Sequence, residues 1–346
     1  MNQLRRSRQP GRRAGPRTRA RASVSEPVGG DRRARASVSE PVGGDVDARL
    51  DDPRVRALAL TVGVVAVSTA AILVRVADAP ALAVAWWRTG IAAVLLAPFA
   101  VRAGVLPNGR QRLLLAASGL LLGAHFSLWF ASLEMTTVAA SSVLVSMSPV
   151  VVGAGATVVL REPPSRMAWV GLWLAVLGAA VIVSGDLGGA ATGSRALVGD
   201  VLALASACAV AGYLLLGRHA RRTLPVSVYG TWTYGCAALA LLVVSLATGT
   251  NLGVGWASSG MPGYGATTWL AIAGLVAGPQ LLGHTVFNLL LARVSATVVG
   301  VVTIAEPVGA TVLAALLLGE VPSGAFYAGT PLVLIGVLLA ARSSES

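Results

Sequence analysis

Apolar residues run through this chain in ten long blocks, each separated from the next by a short break rich in Pro, Gly or Arg. The blocks fall near 57–77, 82–101, 112–131, 137–160 and 167–184, then near 198–217, 227–248, 267–291, 295–318 and 324–341. A helix needs about 20 apolar residues to cross ~30 Å of hydrocarbon. The pattern therefore predicts an all-α polytopic membrane protein with ten transmembrane helices. Residues 1–56 behave differently, being rich in Arg, Ser, Gly and Pro and nearly free of large apolar side chains. Such a segment cannot bury enough surface to fold and is expected to be disordered. Within it RARASVSEPVGGD at 19–31 returns unchanged at 33–45, a period of 14. That is too short and too polar for a structural repeat. It reads either as a basic arm for anionic headgroups or as a coding duplication, or a start site placed too far upstream. It does not read as a signal peptide, because the first apolar block begins only near residue 57 and is of full spanning length.

The blocks repeat. An offset of 158 residues aligns Pro149 with Pro307, Glu162 with Glu320, Pro164 with Pro322, Ser165 with Ser323, Gly171 with Gly329 and Gly178 with Gly336. An offset of 145 aligns Pro80 with Pro225, Trp87 with Trp232 and Gly90 with Gly235. The chain divides into five-helix halves at 57–184 and 198–341. Because five is odd, the second half enters the membrane from the opposite side. Two inverted five-helix repeats are the expected architecture, and that arrangement suits two halves exchanging inward- and outward-facing shapes.

Composition supports an apolar solvent: 55% of residues are hydrophobic and only 12% charged, against roughly 25% charged in a soluble domain. Charge then orients the chain. Residues 1–56 hold 14 of the 27 basic residues. With that tail inside, the inner loops hold Arg102, Arg110, Arg112, Arg161, Arg166, Arg218, Arg221, Arg222, Arg293 and Arg342, while the outer loops hold only Arg195. This bias places both termini in the cytoplasm and the protein in the cell inner membrane. A basic excess made of a tail and juxtamembrane loops speaks against nucleic-acid binding. Cys208 and Cys236 lie in apolar blocks and are expected as buried small side chains, not as a disulfide or metal ligands.

Several stretches resemble the EamA family of the drug/metabolite transporter superfamily. They are the WWR at Trp86–Arg88, SLWFASLEMTTVAASSVLVSMSPV at 127–150, the REP that follows the fourth block, and EPVGATVLAALLLGE from Glu306 to Glu320. The resemblance covers about 57–341 and implies a ten-helix inner-membrane transporter of small metabolites. Many relatives export amino acids, nucleobases or amines, so the resemblance leaves the substrate open.

Ionisable residues at bilayer depth are expensive and need a reason. Glu306 lies in the ninth block before Pro307, which removes a backbone donor and loosens the helix. It is the candidate for proton coupling; the competing reading is a structural anchor paired with Arg88. Arg88 is placed either to bind a substrate carboxylate or phosphate or to form an internal ion pair or snorkel. Arg75, nearer a helix end, reads as snorkelling. Gln280, His284 and Asn288 recur at intervals of four and share a helical face that must meet a cavity or a neighbouring helix. Pro279 beside them predicts a kink. His284 is either a proton carrier or a neutral hydrogen-bonding side chain. His125, Trp129 and Ser132 form a shorter stripe. Trp87, Tyr213, Trp232 and Tyr234 either line a substrate path or belong to interface belts. Trp169, Trp256 and Trp269 read as belt residues. Ser141, Ser142 and Ser146 suit close helix packing.

No P-loop, HExxH or GxSxG is present, so neither direct ATP coupling nor a familiar intramembrane hydrolase has its residues. The expected function is a secondary transporter, an exporter coupled to protons or to exchange. A passive or uptake permease is the rival within the fold. A membrane-embedded enzyme or lipid-handling protein is the rival outside it. The expected partners are a small-molecule substrate and the lipid bilayer, with a homodimer left open and no cofactor or metal required.

Overall fold

The computed structural model describes residues 50–133, 135–136, 141, 144–145, 147–184, 194–254, 263–318 and 324–342. The tandem duplication, Glu134, Ser142, Ser146, Asp186, Trp256, Glu320, Pro322 and Ser323 lie outside those residues, as do the side chains of Arg75 and Pro307. Every regular element among the described residues is helical. In chain order they are α1 (Pro53–Ser68), α2 (Ala70–Val76), α3 (Ala81–Arg102), α4 (Gly109–Leu133), α5 (Ser148–Gly155), α6 (Arg166–Ser184) and α7 (Ser194–Arg221). These are followed by α8 (Val226–Ala247), α9 (Ala266–Leu275), α10 (Val286–Leu290), α11 (Ala296–Thr303), α12 (Glu306–Leu318) and α13 (Gly324–Arg342). Two π-helical segments complete the set: π1 (Ala156–Leu160) extends α5, and π2 (Val276–Thr285) joins α9 to α10.

Local chemistry sets several starts. Asp52 caps α1 by accepting from the Arg54 amide at 2.8 Å, with Pro53 in the first turn, where its missing N–H costs nothing. Ser295 caps α11 through the Val298 amide. Pro80 and Pro225, aligned by the repeat, each precede a 22-residue helix.

Not every apolar block forms one regular helix among the described residues. Among the described residues six helical runs are long and apolar enough to cross a bilayer, and the runs Ser148–Leu160, Arg166–Val181, Ala296–Ala310 and Gly324–Ala340 are shorter. The ninth block breaks at Ile304–Ala305, between α11 and α12. Pro307 has no N–H to offer the Thr303 carbonyl, so the helix cannot run through. The first block breaks at Thr69, whose hydroxyl bonds back to the Ala66 carbonyl at 2.7 Å. The two breaks meet: the Ser68 hydroxyl donates to the Glu306 carbonyl at 3.2 Å.

The repeat is visible in the packing. An ideal Cβ on Gly171 falls 2.5 Å from the Gly336 carbonyl oxygen, and one on Gly178 falls 2.7 Å from that of Gly329. Exchanging each residue for its partner at the offset of 158 turns the first contact into the second. The register falls on α13 as it rises on α6, so the two helices run antiparallel. The same exchange relates α3 to α8 at the offset of 145, where a Cβ on Gly90 meets Ala238 at 3.8 Å and one on Gly235 meets Ala93 at 4.0 Å. Reciprocal contacts of this kind are the mark of a two-fold relation. At the centre α11 is buried along residues 296–302, with Gly300 against Pro149 of α5. Cys208 corrects the expectation of a buried thiol: it is exposed on α7, and Cys236 is partly so.

Candidate functional site

A polar cluster occupies the ground between α3, α4, α7, α8 and π2. The guanidinium of Arg88, 4% exposed, anchors it. Its Nε donates to Gln280 Oε1 at 2.9 Å, and its central carbon stands 4.9 Å from the Phe126 ring centroid. A cation over an aromatic face is held by the ring's negative centre, and more strongly where water is excluded. Glu306 is the acid whose charge reaches Arg88, but from beyond ion-pair distance. The Arg88–Glu306 salt bridge open in the sequence reading is thus replaced by an arginine–amide pair. Glu306 is the first residue of α12 and half-buried, with no side-chain hydrogen bond among the described residues.

The eighth block supplies the other wall, and its shape follows from Pro279. In place of a simple kink, the helix widens into π2 around the proline. π segments of this kind are uncommon and concentrate at functional sites. Thr285 closes the wide turn by donating to the Gln280 carbonyl at 3.0 Å. The Thr285 hydroxyl also meets Tyr234 at 3.0 Å. Asn288 donates to the Tyr234 oxygen at 3.0 Å and accepts from Tyr213 at 2.7 Å. One network thus runs from Arg88 to Tyr213. Gln280 and Asn288 are fully buried, and the stripe with His284 faces into the bundle. His284 meets the Phe126 ring edge-on, with centroids 6.2 Å apart.

His125 sits deeper. Its Nδ1 lies 2.8 Å from the Ser206 hydroxyl, and its ring stacks on Trp129. A serine beside a histidine is the start of a nucleophile arrangement. Here the serine is fully buried and also donates to the His125 carbonyl at 3.1 Å, as a structural contact does.

Trp87 and Trp232 stand apart. Trp87 donates to the Leu252 carbonyl at 2.9 Å and packs edge-on against Trp269. Trp232 is 39% exposed on α8. Trp169 lies against Gly153. An apolar cleft of about 260 Å³ between α3, α9 and π2 is lined by Ile91, Trp269, Val276 and Leu281, among others. Sequence reasoning missed Phe126, Ser206 and Thr285, which carry no signal inside apolar blocks. Among the described residues no cluster of His, Cys, Asp or Glu is placed to hold a metal.

A second polar group lies at the end of α7. Arg218 binds Glu162 through both carboxylate oxygens, at 3.1 and 3.2 Å, and Arg222 adds a contact at 2.5 Å. Arg218 also donates to the Leu291 carbonyl at 2.7 Å, and Arg221 to that of Asn288 at 2.9 Å. Burial raises the Glu162 pKa, but hydrogen bonds from Arg218 and Arg222 and their charges outweigh it and leave it below the ordinary carboxylate value. This clamp ties the loop after π1 to α7, while Arg221 ties α7 to the backbone of a site residue.

The EamA-like transporter family matches the sequence twice, over residues 56–184 and 197–342. The chain belongs to the EamA-like transporter family. It is thus a multi-pass membrane protein of the transporter type. A solved structure titled only "Crystal structure of protein" is 21% identical, with a TM-score of 0.67, over 84% of this chain and 98% of its own. That likeness is one of fold. Comparison with curated proteins finds no match.

Proposed function

We propose that the protein is a secondary transporter of the cell inner membrane that exports small metabolites by alternating access. On this reading ten spans form two inverted five-helix repeats with both termini in the cytoplasm, as the arginine distribution implies. The observation that carries the proposal is the Arg88–Gln280 pair. A buried cation at bilayer depth, held by an amide and not by an acid, is costly unless it serves a passing solute. Arg88 comes from the first half and Gln280 from the second, so relative motion of the halves remakes the seat.

Glu306 is the coupling residue. It stands at a helix break, half-buried, with its carboxylate unpaired among the described residues and Arg88 within electrostatic reach. Export would then use the proton gradient, with the carboxylate binding and releasing a proton as the site changes sides. The test is accumulation in proteoliposomes driven by an imposed pH gradient, wild type against Glu306→Gln. The proposal predicts that the variant keeps exchange and loses gradient-driven accumulation. Equal accumulation by both proteins would remove Glu306 from coupling.

A further inference from the structure

Two donors in the site have no acceptor. Arg88 Nη2 and Gln280 Nε2 are both sealed from solvent and without a hydrogen-bond partner. They belong to side chains that are 4% and 0% exposed and bonded to each other. The Arg88 Nε–H can be met only by the amide oxygen of Gln280, which fixes the amide and makes its nitrogen a donor. Tyr234 borders Gln280 and interacts with its side chain, yet Nε2 is left without a well-formed hydrogen bond. Native proteins rarely leave one such group unmatched, and here two stand together.

We infer that the transported solute carries a carboxylate, seated across Arg88 Nη2 and Gln280 Nε2; this rests on the transport reading above. A carboxylate offers two oxygens with several lone pairs, and a guanidinium edge beside an amide N–H matches that shape. An amine offers only donors and leaves both groups unmatched. A phosphate dianion brings two charges to one arginine, with Glu306 close enough to repel the excess. The rest of the solute meets rings: Phe126 lies under the guanidinium, and His284 stands edge-on to that ring. The solute is a small monocarboxylate with an apolar or planar remainder.

The experiment measures thermal unfolding of the full-length protein in detergent with lactate, benzoate, phenylacetate or octanoate. Phenylacetamide, phenethylamine and inorganic phosphate are the comparison arms. At least one carboxylate should raise the midpoint, while its matching amide and amine should not. Arg88→Gln should weaken that effect at least tenfold. Gln280→Glu keeps shape and gives Arg88 an ionic partner, so it should fold and yet lose carboxylate binding even if Arg88→Gln does not fold. Arg293→Gln, an exposed residue paired with Asp51, should behave as wild type. Stabilisation by the amine, the amide or phosphate in place of carboxylates would overturn the inference. So would no response to any carboxylate, or unchanged binding in Gln280→Glu. If carboxylates bind but proteoliposomes carry none, the transport reading fails and the ligand class stands; if amines are carried, the reverse holds.

Discussion

Replacing Gly178 by alanine puts one methyl group into a close backbone contact between the two repeats. Its Cβ would sit 2.6 Å from the Val333 amide nitrogen, 2.7 Å from the Gly329 carbonyl oxygen and 2.9 Å from Leu332 Cβ. Ordinary contact begins near 3.4 Å, so α6 and α13 must separate by several tenths of an ångström. Two of the three atoms are backbone, and no rotamer change relieves them. Overpacking of this kind costs about 1–3 kcal/mol, and a rigid backbone contact belongs at the upper end. Alanine returns up to about 1 kcal/mol of helix propensity, leaving a net loss of about 2 kcal/mol. Gly90→Ala is the control, since its Cβ meets only Ala238 at 3.8 Å and should be neutral or slightly stabilising. Unfolding of both variants in detergent, followed by tryptophan fluorescence, measures the difference. If Gly178→Ala and Gly90→Ala unfold together, the α6–α13 contact is not the close two-fold crossing described above.

The Glu162 clamp should be acid-sensitive. Its folded pKa is depressed, so its contribution is present above the unfolded carboxylate value of 4.5 and is lost as pH falls through the lower folded value. Glu162→Gln should therefore cost about 1 kcal/mol near neutral pH and progressively less as pH falls below 4.5; a stability gap that does not change with pH would contradict this. Tyr213→Phe leaves the Asn288 oxygen without its donor and should lower stability by about 1–3 kcal/mol, read from detergent melting, with no effect if the 2.7 Å bond is absent. Arg221, on the same helix as the clamp arginines, holds the Asn288 carbonyl of the site. Arg221→Gln should thus slow solute exchange more than it lowers solute affinity in paired binding and exchange assays, and an equal loss in both would place it in binding alone.

The α6–α13 contact was legible because membrane packing writes small residues into sequence. Gly171, Gly178, Gly329 and Gly336 sit at the offset of 158, and the same four make the antiparallel contact. Span continuity was not legible. Hydropathy reads the ninth block as one helix, while Pro307 divides it into α11 and α12 just before the acid. Pro279 announced a disturbance, but whether a proline yields a kink or a widened turn depends on what receives the freed groups, here Thr285 and the Gln280 carbonyl. The polar stripe Gln280–His284–Asn288 was readable from spacing. Its partners were not, because Phe126 looks like any other apolar residue until a guanidinium lies over its face. Glu162 appeared as a repeat position and in the REP after the fourth block, without a partner; charge counting had put its loop and Arg218 on the same side of the membrane, and the clamp was within reach of that reading.

The central claim is that small metabolites leave the cell through the Arg88–Gln280 seat under the control of Glu306. It is tested most directly by the intracellular metabolite profile of cells expressing wild type, Arg88→Gln or Glu306→Gln at matched membrane levels. Wild type should deplete a defined set of carboxylate-bearing solutes from the cell and raise them in the medium, and both variants should restore the profile of cells without the protein. A wild-type profile identical to those cells, or an Arg88→Gln profile identical to wild type, would contradict the account.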